Sequence, residues 1–334
     1  MIAKRSIIPI FVPHLGCPNN CVFCDQHRIT GSVTSPDEAM VRETIAEGLS
    51  KIPADTETQL AFYGGSFTAI PVYEQIKLLG AALPFLYLGE LSSVRVSTRP
   101  DAIDDTRLTL LSEYGVKTIE LGAQSMCGEV LKASCRGHTA EQTEQAANMI
   151  RECDFELVLQ MMTGLPGDTK ERTIETARRI IALRPDAVRI YPAVILEKTA
   201  MEAMWKSGEY KEHTVEEAVD WCAEIVPMFE REGIPIIRLG LNPTEELSGG
   251  AAVGGAYHPA LGELVRSRVM LSRARVLLSC AVHSDEVDLG VNASEISVMT
   301  GQHRQNVEAL KNEYGLSRVR VLKADVPKGT VVLL

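Results

Sequence analysis

Three cysteines lie close together near the start of the chain, where Cys17, Cys21 and Cys24 are spaced C-x3-C-x2-C. They follow a short apolar segment that is typical of a β-strand. Three thiolates can bind three irons of a [4Fe–4S] cluster, which leaves the fourth iron open to a chelator from outside the protein. The triplet therefore predicts an iron–sulfur cluster with one exchangeable position.

The chelator that suits such an open iron is S-adenosylmethionine (SAM), which binds through its methionyl amine and carboxylate. The reduced cluster passes one electron to the sulfonium, the C–S bond breaks, and the 5′-deoxyadenosyl radical abstracts hydrogen from a substrate. A site of this kind needs a reductant such as ferredoxin or flavodoxin. Phe23, just before the third cysteine, is a candidate to pack on the adenine or a core residue.

A structural zinc ion is the alternative for the same cysteines. His14 or His27 could complete a Cys3His set, and the protein would then be a non-catalytic zinc-binding module. The other five cysteines fall at irregular spacings, which indicates a reducing compartment and no disulfide framework.

Short strand-like segments alternate with longer helical patterns through most of the chain. Repeated βα units imply parallel strands with right-handed crossovers, and six or seven of them predict an α/β fold with a partial TIM barrel of the (β/α)6 type. A doubly wound open sheet is the alternative. The expected strands are Ser6–Val12, Gln59–Tyr63, Val94–Ser97, Lys117–Leu121, Phe155–Met161, Ala187–Tyr191 and Ile234–Leu239. In most of these strands, the residues of both faces are rich in Val, Ile and Leu, as in strands that are covered on both sides.

Glycine or polar residues follow five consecutive strands, at the edge where barrel active sites lie. Gly64 and Gly65 allow the backbone to approach the SAM amino group closely. Arg99 could hold the SAM carboxylate or pair with a surface acid such as Asp101. Gln124 suits a ribose hydroxyl, or holds a loop as a buried amide.

Two further strand ends complete this set. The loop that begins with Gly164 and Leu165 could receive adenine, although a glycine-rich loop before a helix also suits phosphate. Tyr191 at the end of the sixth strand is a candidate substrate-facing residue or a core tyrosine.

The barrel is expected to occupy residues 1–240 and a small C-terminal α/β extension residues 241–334. Leu241–Gly255 is rich in Gly, Asn and Pro and is expected to be a loop that presents His258 to substrate or serves as a connector. After it we expect a helix from Pro259 to about Cys280, a strand at Glu286–Val291, a helix over Ser294–Tyr314 and a terminal hairpin. Basic residues of the last helix and hairpin, among them Arg318 and Arg320, could contact an RNA backbone or form a solvated face.

The chain of 334 residues carries a net charge of −10, which argues against a broadly basic nucleic-acid-binding face. No apolar run approaches the length of a membrane span. These features predict a cytoplasmic protein with no membrane partner.

The motifs together resemble the radical SAM superfamily, and in particular the Elongator catalytic-subunit branch. The resemblance covers roughly residues 5–240 and is carried by these segments: Ser97–Asp101, Ile119–Gly167 with its Arg136-Gly137-His138-Thr139 loop, Arg189–Pro192 and Met204–Tyr210. It implies a SAM-binding barrel in which Gly64, Gly65, Gln124 and the Gly164 loop contact SAM. Ser97 stands where that branch usually has glutamate, and Cys17 and Cys21 lie closer together than their counterparts in that branch.

The resemblance leaves the substrate open. Elongator enzymes carry an acetyltransferase domain after the barrel, whereas about 95 residues follow Gly240 here. The leading hypothesis is therefore a SAM-radical enzyme acting on a nucleotide of tRNA or rRNA. The alternative is a small molecule such as a tetrapyrrole or nucleoside.

Overall fold

Seven parallel strands form one open sheet in the computed structural model, which describes residues 5–13, 15–25, 36–244, 247–280 and 284–334. The first nine strands in chain order are β1 (Arg5–Phe11), β2 (Glu57–Tyr63), β3 (Ser93–Thr98), β4 (Val116–Gln124), β5 (Glu156–Thr163), β6 (Ala187–Pro192), β7 (Val194–Leu196), β8 (Ile236–Leu239) and β9 (Ala252–Gly255). The large sheet has the order β1-β2-β3-β4-β5-β6-β8. All seven strands expected from the sequence are confirmed.

The strand order never reverses, which decides between the two α/β architectures. A doubly wound sheet reverses direction at a switch point and places helices on both faces, whereas consecutive right-handed crossovers place every helix on one face. The helices are α1 (Glu38–Lys51), α2 (Val72–Tyr87), α3 (Asp105–Glu113), α4 (Gly128–Ala133), α5 (Ala140–Glu152), α6 (Lys170–Ala182), α7 (Ala200–Ser207), α8 (Val215–Arg231) and α9 (Leu261–Cys280). The partial TIM barrel is confirmed and the doubly wound alternative is wrong.

The two faces of the sheet differ sharply in polarity, which corrects the expectation of apolar residues on both parities. Leu60, Phe62, Ile119 and Leu121 are fully buried in the core between sheet and helices. The alternate residues face the barrel interior, and these include Tyr63, Ser97, Glu120, Gln124, Gln160, Arg189, Tyr191 and Arg238. Because strand side chains alternate between faces, one face packs the core and the other is free to form a polar site.

Local sequence signals set most helix starts. Asp104 and Thr139 cap α3 and α5, and Thr139 forms a full capping box with Gln142. The cap of α1 is Asp37, whose side chain accepts from the amide of Met40.

The segment expected as a loop at Leu241–Gly255 contains β9, which pairs antiparallel with β7. The backbone amide of Gly255 also donates to the carboxylate of Glu212, 2.7 Å away. The segment is therefore attached to the C-terminal end of the barrel.

The C-terminal part contains β10 (Glu286–Val291), α10 (Ile296–Thr300), α11 (Gln305–Tyr314), β11 (Arg318–Lys323) and β12 (Val331–Leu333). The expected single helix is broken because His303 and Arg304 adopt left-handed backbone conformations. The expected hairpin is also wrong: β11 and β12 both pair with β10, in parallel and antiparallel directions.

Helix α9 joins the two hydrophobic cores. Its first half, including Val265 and Val269, packs in the barrel core, and its second half, including Ala274 and Leu278, packs in the core of the C-terminal part. The boundary proposed at Gly240 stays a prediction. In the described part of the chain, no helix has both the length and the apolar character to cross a membrane.

Substitution of Phe62 tests the helix-facing core. Phe62 is fully buried, with its ring centroid 4.9 Å from that of Phe67. We expect Phe62→Ala to lower the free energy of unfolding in urea by about 3–5 kcal/mol, since it removes an aromatic ring and leaves a cavity. Tyr87→Ala removes an aromatic ring that is 84% exposed and is expected to change it by less than about 0.5 kcal/mol. Equal effects would contradict the assignment of faces.

Candidate functional site

An interior cavity of about 670 Å³ lies at the carboxyl ends of the strands. Nine residues predicted from the sequence line it: Cys17, Cys21, Phe23, Cys24, Gly64, Gly65, Ser97, Gln124 and Tyr191. They come from the loop after β1 and from the ends of β2, β3, β4 and β6. The structure thus brings together residues up to 174 positions apart (191 − 17) in one pocket.

The three cysteines are reduced thiols that face the interior cavity. Burial raises the pKa of Cys24 to about 12, and the neighbouring Cys21 and Cys17 add to that rise. Burial also raises the pKa of Cys17, while the Arg136 guanidinium acts in the opposite direction. Metal binding by these thiols therefore releases protons, and a positive charge nearby favours the thiolates.

Three thiols are the type of donor that an iron–sulfur cluster takes. Among the residues that the structure describes, no three His, Cys, Asp or Glu side chains converge as the ligands of one metal ion do. A four-iron cluster places each thiolate on a different iron, so that its ligands stand further apart than those of a zinc ion. His14 and His27, the candidate fourth zinc ligands, lie outside the described residues.

Two close contacts at glycines hold the cysteine loop, one to its backbone and one to a side chain. A Cβ atom on Gly65, whose φ is +55°, would lie 2.3 Å from the carbonyl oxygen of Leu15. A Cβ atom on Gly137, whose φ is +79°, would lie 1.9 Å from the side chain of Asn19. Only glycine permits these approaches, so the Gly64-Gly65 and Arg136-Gly137 loops press on the cysteine loop from two directions.

The Gly164 loop does not line the interior cavity but packs beside it. Gly164 donates its amide to Asp168 and accepts from the Tyr210 hydroxyl at 2.6 Å, and a Cβ atom there would lie 2.1 Å from the His213 ring. Leu165 is buried in an apolar cluster with Val22, against which Phe23 packs. Gly164 and Leu165 therefore pack among the residues that hold the cysteine loop in place, through Tyr210 and Val22. Direct contact between either residue and adenine stays a prediction.

Gln124 has an unusual environment at the end of β4. The register of β4 with β5 shifts between Gly122 and Gln124, and Gln124 has a φ of +63°. Its side-chain oxygen is buried without a hydrogen-bond partner among the described residues. A buried acceptor of this kind in a cavity wall is suited to a ligand donor.

Two predicted residues lie elsewhere. Arg99 is 2% exposed and outside the lining of the interior cavity; its guanidinium makes two hydrogen bonds with the Asp101 carboxylate and donates to the carbonyl of Arg136 at 2.7 Å. His258 also lies outside that lining, and its Nδ1 accepts from the amide of Ala260 at the start of α9. No described contact brings His258 to the cysteines, whereas the Arg99 charge acts on Cys17 and opposes the rise in its pKa.

Sequence reasoning missed the polar network at the centre of the barrel interior. Glu120 is fully buried, and its Oε1 accepts from Arg95, Tyr63 and Arg189 at 2.8, 3.1 and 3.0 Å. Its Oε2 accepts from Gln160 at 2.9 Å and lies 2.9 Å from Nε of Arg189. The signal was present in the sequence, because each of these polar residues falls on the same face of one of five consecutive strands.

Two tyrosines share this network. Burial and the Glu120 charge raise the pKa of Tyr63, whose ring centroid lies 5.3 Å below the Arg189 guanidinium. Burial likewise raises the pKa of Tyr191, whose hydroxyl accepts from Arg189 at 3.5 Å. Both phenols are therefore protonated at neutral pH.

Removal of Glu120 tests the network. Glu120→Ala leaves Arg95 and Arg189 buried without a counter-charge, and we expect the free energy of unfolding in urea to fall by about 3–5 kcal/mol. Glu313→Ala breaks the half-exposed pair with Arg275 and is expected to cost less than about 1 kcal/mol. A loss no larger for Glu120→Ala than for Glu313→Ala would contradict the described network.

Comparison with known proteins points to one superfamily. The family model of the Radical SAM superfamily matches residues 11–180, and that of the Radical SAM C-terminal domain matches residues 185–270. The tRNA uridine(34) acetyltransferase of Methanocaldococcus jannaschii is 30% identical over 79% of this chain, and that of Methanocaldococcus infernus is 24% identical over the same share. The chain spans about half the length of these relatives, 55% and 56%.

Solved structures support the same fold. The Methanocaldococcus infernus Elp3 with an N-terminal deletion aligns with a TM-score of 0.62 and 23% identity, over 80% of this chain and 63% of its own. Coproporphyrinogen III oxidase from Escherichia coli aligns with a TM-score of 0.51 and 18% identity, over 69% of this chain and 53% of its own. The chain is a member of the radical SAM superfamily, homologous over most of its length to the radical SAM region of the Elongator-type tRNA uridine acetyltransferases.

Proposed function

We propose that this enzyme holds one [4Fe–4S] cluster through Cys17, Cys21 and Cys24, binds SAM beside it and acts on a nucleotide of RNA, with tRNA as the first candidate. The observation that carries the proposal is the shared cavity. Three reduced cysteines and the predicted ligand-binding strand ends face it together. When bound, the cluster and SAM supply one-electron cleavage of a C–S bond and a radical able to abstract hydrogen.

The chain's own residues position SAM. The backbone of Gly64 and Gly65 lies open to the cavity for the SAM amino group, and the unpartnered oxygen of Gln124 accepts from a ligand hydroxyl or amine. Phe23 and Ser97 also line the cavity, and we assign them to the adenine and the methionyl part of SAM. Arg136 contributes positive charge beside the thiolates, with Nη1 3.4 Å from the sulfur of Cys21.

Residues outside the cavity lining act through the loops that they hold. Arg99 fixes the Arg136 loop through the carbonyl of Arg136. Leu165 supports Val22 and Phe23 in the cysteine loop. Tyr191 faces the cavity from β6 and is the proposed contact to substrate, held by its hydrogen bond to Arg189.

An RNA substrate is supported by the relatives. Proteins named tRNA uridine(34) acetyltransferase and Elongator complex protein 3 match this chain at 24–30% identity. The expected basic surface of the C-terminal part does not add support, because Arg318 and Arg320 are paired with Glu286 and Asp288. A small-molecule substrate is the second candidate, favoured by the net charge of −10 and by a cavity of only about 670 Å³.

The cysteine assignment predicts the product of SAM cleavage. After anaerobic reconstitution with iron and sulfide and reduction with dithionite, the wild type is expected to form 5′-deoxyadenosine, measured by chromatography. Alanine at any one of the three cysteines should lower the rate at least about 100-fold, since the cluster loses a ligand. Cys153→Ala changes an exposed cysteine and serves as the matched control. Undiminished product from the Cys21→Ala protein would contradict the assignment.

The RNA assignment predicts a stimulated reaction. Bulk tRNA is expected to raise the rate of 5′-deoxyadenosine formation, and the same tRNA digested with ribonuclease is not. Because phosphate contacts release counterions, the stimulation should weaken as salt is raised from about 50 to 200 mM. If intact and digested tRNA give the same rate at every salt concentration, the small-molecule candidate takes its place.

A further inference from the structure

The lining of the interior cavity is positively charged in a chain whose net charge is −10. Among its described lining residues, the arginines are Arg136, Arg189 and Arg238, and the one carboxylate is that of Glu120. Positive charge concentrated in a concave site of an acidic protein raises the local concentration of anions there. The cavity is thus electrostatically unlike the rest of the molecule.

Most of this charge has a partner within the site. Arg136 lies beside the cysteine thiols, which become thiolates when metal binds. Glu120 forms ion pairs with Arg189 and Arg95, and it accepts further hydrogen bonds from Tyr63 and Gln160. The Glu120 carboxylate is therefore fully engaged and has no capacity for another cation.

Of the three arginines in the described lining, Arg238 takes part in neither of these interactions. Its Nε donates to the carbonyl oxygen of Gly240 at 2.7 Å, and it forms no ion pair with any carboxylate of the described residues. It stands directly opposite Arg189 in the register of β8 with β6, on the same face of the sheet. Like charges at opposed positions destabilise a sheet unless an anion lies between them.

The electrostatics of Arg238 agree with this geometry. Burial lowers the pKa of its guanidinium, the neighbouring Tyr191 opposes that change, and the charge of Arg189 lowers it further. Asn242 and Thr244, which follow β8, line the same part of the cavity and can donate neutral hydrogen bonds. Within the described part of the chain, the corner between β6 and β8 therefore combines a cation that has no counter-charge with the two uncharged donors Asn242 and Thr244.

We infer that Arg238, with Arg189 beside it, forms an oxyanion subsite for a phosphate or carboxylate group of the substrate. The inference rests on the proposed function in one respect, that the interior cavity is where substrate meets SAM. Guanidinium groups bind both oxyanions in a bidentate manner, so the same subsite accepts the phosphodiester of an RNA or the carboxylate of a small acid. Bound there, the anion fixes the distance of the rest of the substrate from the cysteine loop.

Calorimetric titration of two anionic probes tests the subsite. The probes are uridylyl-uridine, which carries one phosphodiester, and citrate. The protein is the anaerobically reconstituted wild type, saturated with SAM and without reductant, so that the SAM carboxylate cannot be mistaken for the probe. At least one probe is expected to bind, and Arg238→Gln should weaken it by about tenfold or more, the loss of a charged hydrogen-bond donor.

Two further variants separate the effect of charge from that of geometry and control for the loss of an arginine elsewhere. Arg238→Lys retains the charge without the bidentate geometry and should bind more tightly than Arg238→Gln. Arg231→Gln removes an exposed arginine at the end of α8 and should bind as the wild type does. Tighter binding of uridylyl-uridine identifies an RNA phosphate as the natural anion, and tighter binding of citrate identifies a small acid.

Failure of the subsite and failure of the proposed function give different results. If the wild type forms 5′-deoxyadenosine but neither probe binds, or both bind Arg238→Gln as tightly as wild type, the subsite is overturned and the function stands. If probe binding depends on Arg238 but no SAM cleavage occurs, the subsite stands and the proposed function fails.

Discussion

The buried charge of Glu120 constrains the whole barrel interior. A carboxylate with no solvent exposure is tolerated only if cations and hydrogen-bond donors replace the water that it loses. Arg95, Tyr63, Gln160 and Arg189 supply those groups from β3, β2, β5 and β6. The interior side chains of five adjacent strands are therefore fixed relative to one another, and the cavity wall above them is rigid.

The cysteine loop is positioned by a different kind of contact. Gly65 lets its loop approach the backbone of the cysteine loop closely, and Gly137 leaves room for the side chain of Asn19, while Val22 anchors the loop in an apolar cluster with Leu165. The loop thus meets the barrel through tight packing on one side and apolar burial on the other. This arrangement directs three thiols toward the cavity through contacts made by the protein itself, as a preorganised cofactor site requires.

The sequence predicts the scaffold well because local signals specify it. Apolar segments set the seven strands, and Asp104 and Thr139 set helix starts through caps that need no distant partner. The pairing of Arg99 with its neighbour Asp101 is local and was one of the two expected roles, but its hydrogen bond to the carbonyl of Arg136 joins residues 37 positions apart. The network around Glu120 forms only when five strands align in register. Strand β9 likewise could not be predicted from its glycine-rich segment, because it forms by pairing with β7, which lies more than fifty residues earlier.

The central claim is that three cysteines hold a four-iron cluster with one iron open to SAM. Mössbauer spectroscopy of protein reconstituted with 57Fe tests it most directly, recorded with and without SAM. Four irons per chain are expected, one of which changes its spectrum when SAM is added, while the spectrum of Cys21→Ala lacks the cluster. A chain that takes up zinc but no iron, or four irons that are all indifferent to SAM, would contradict it.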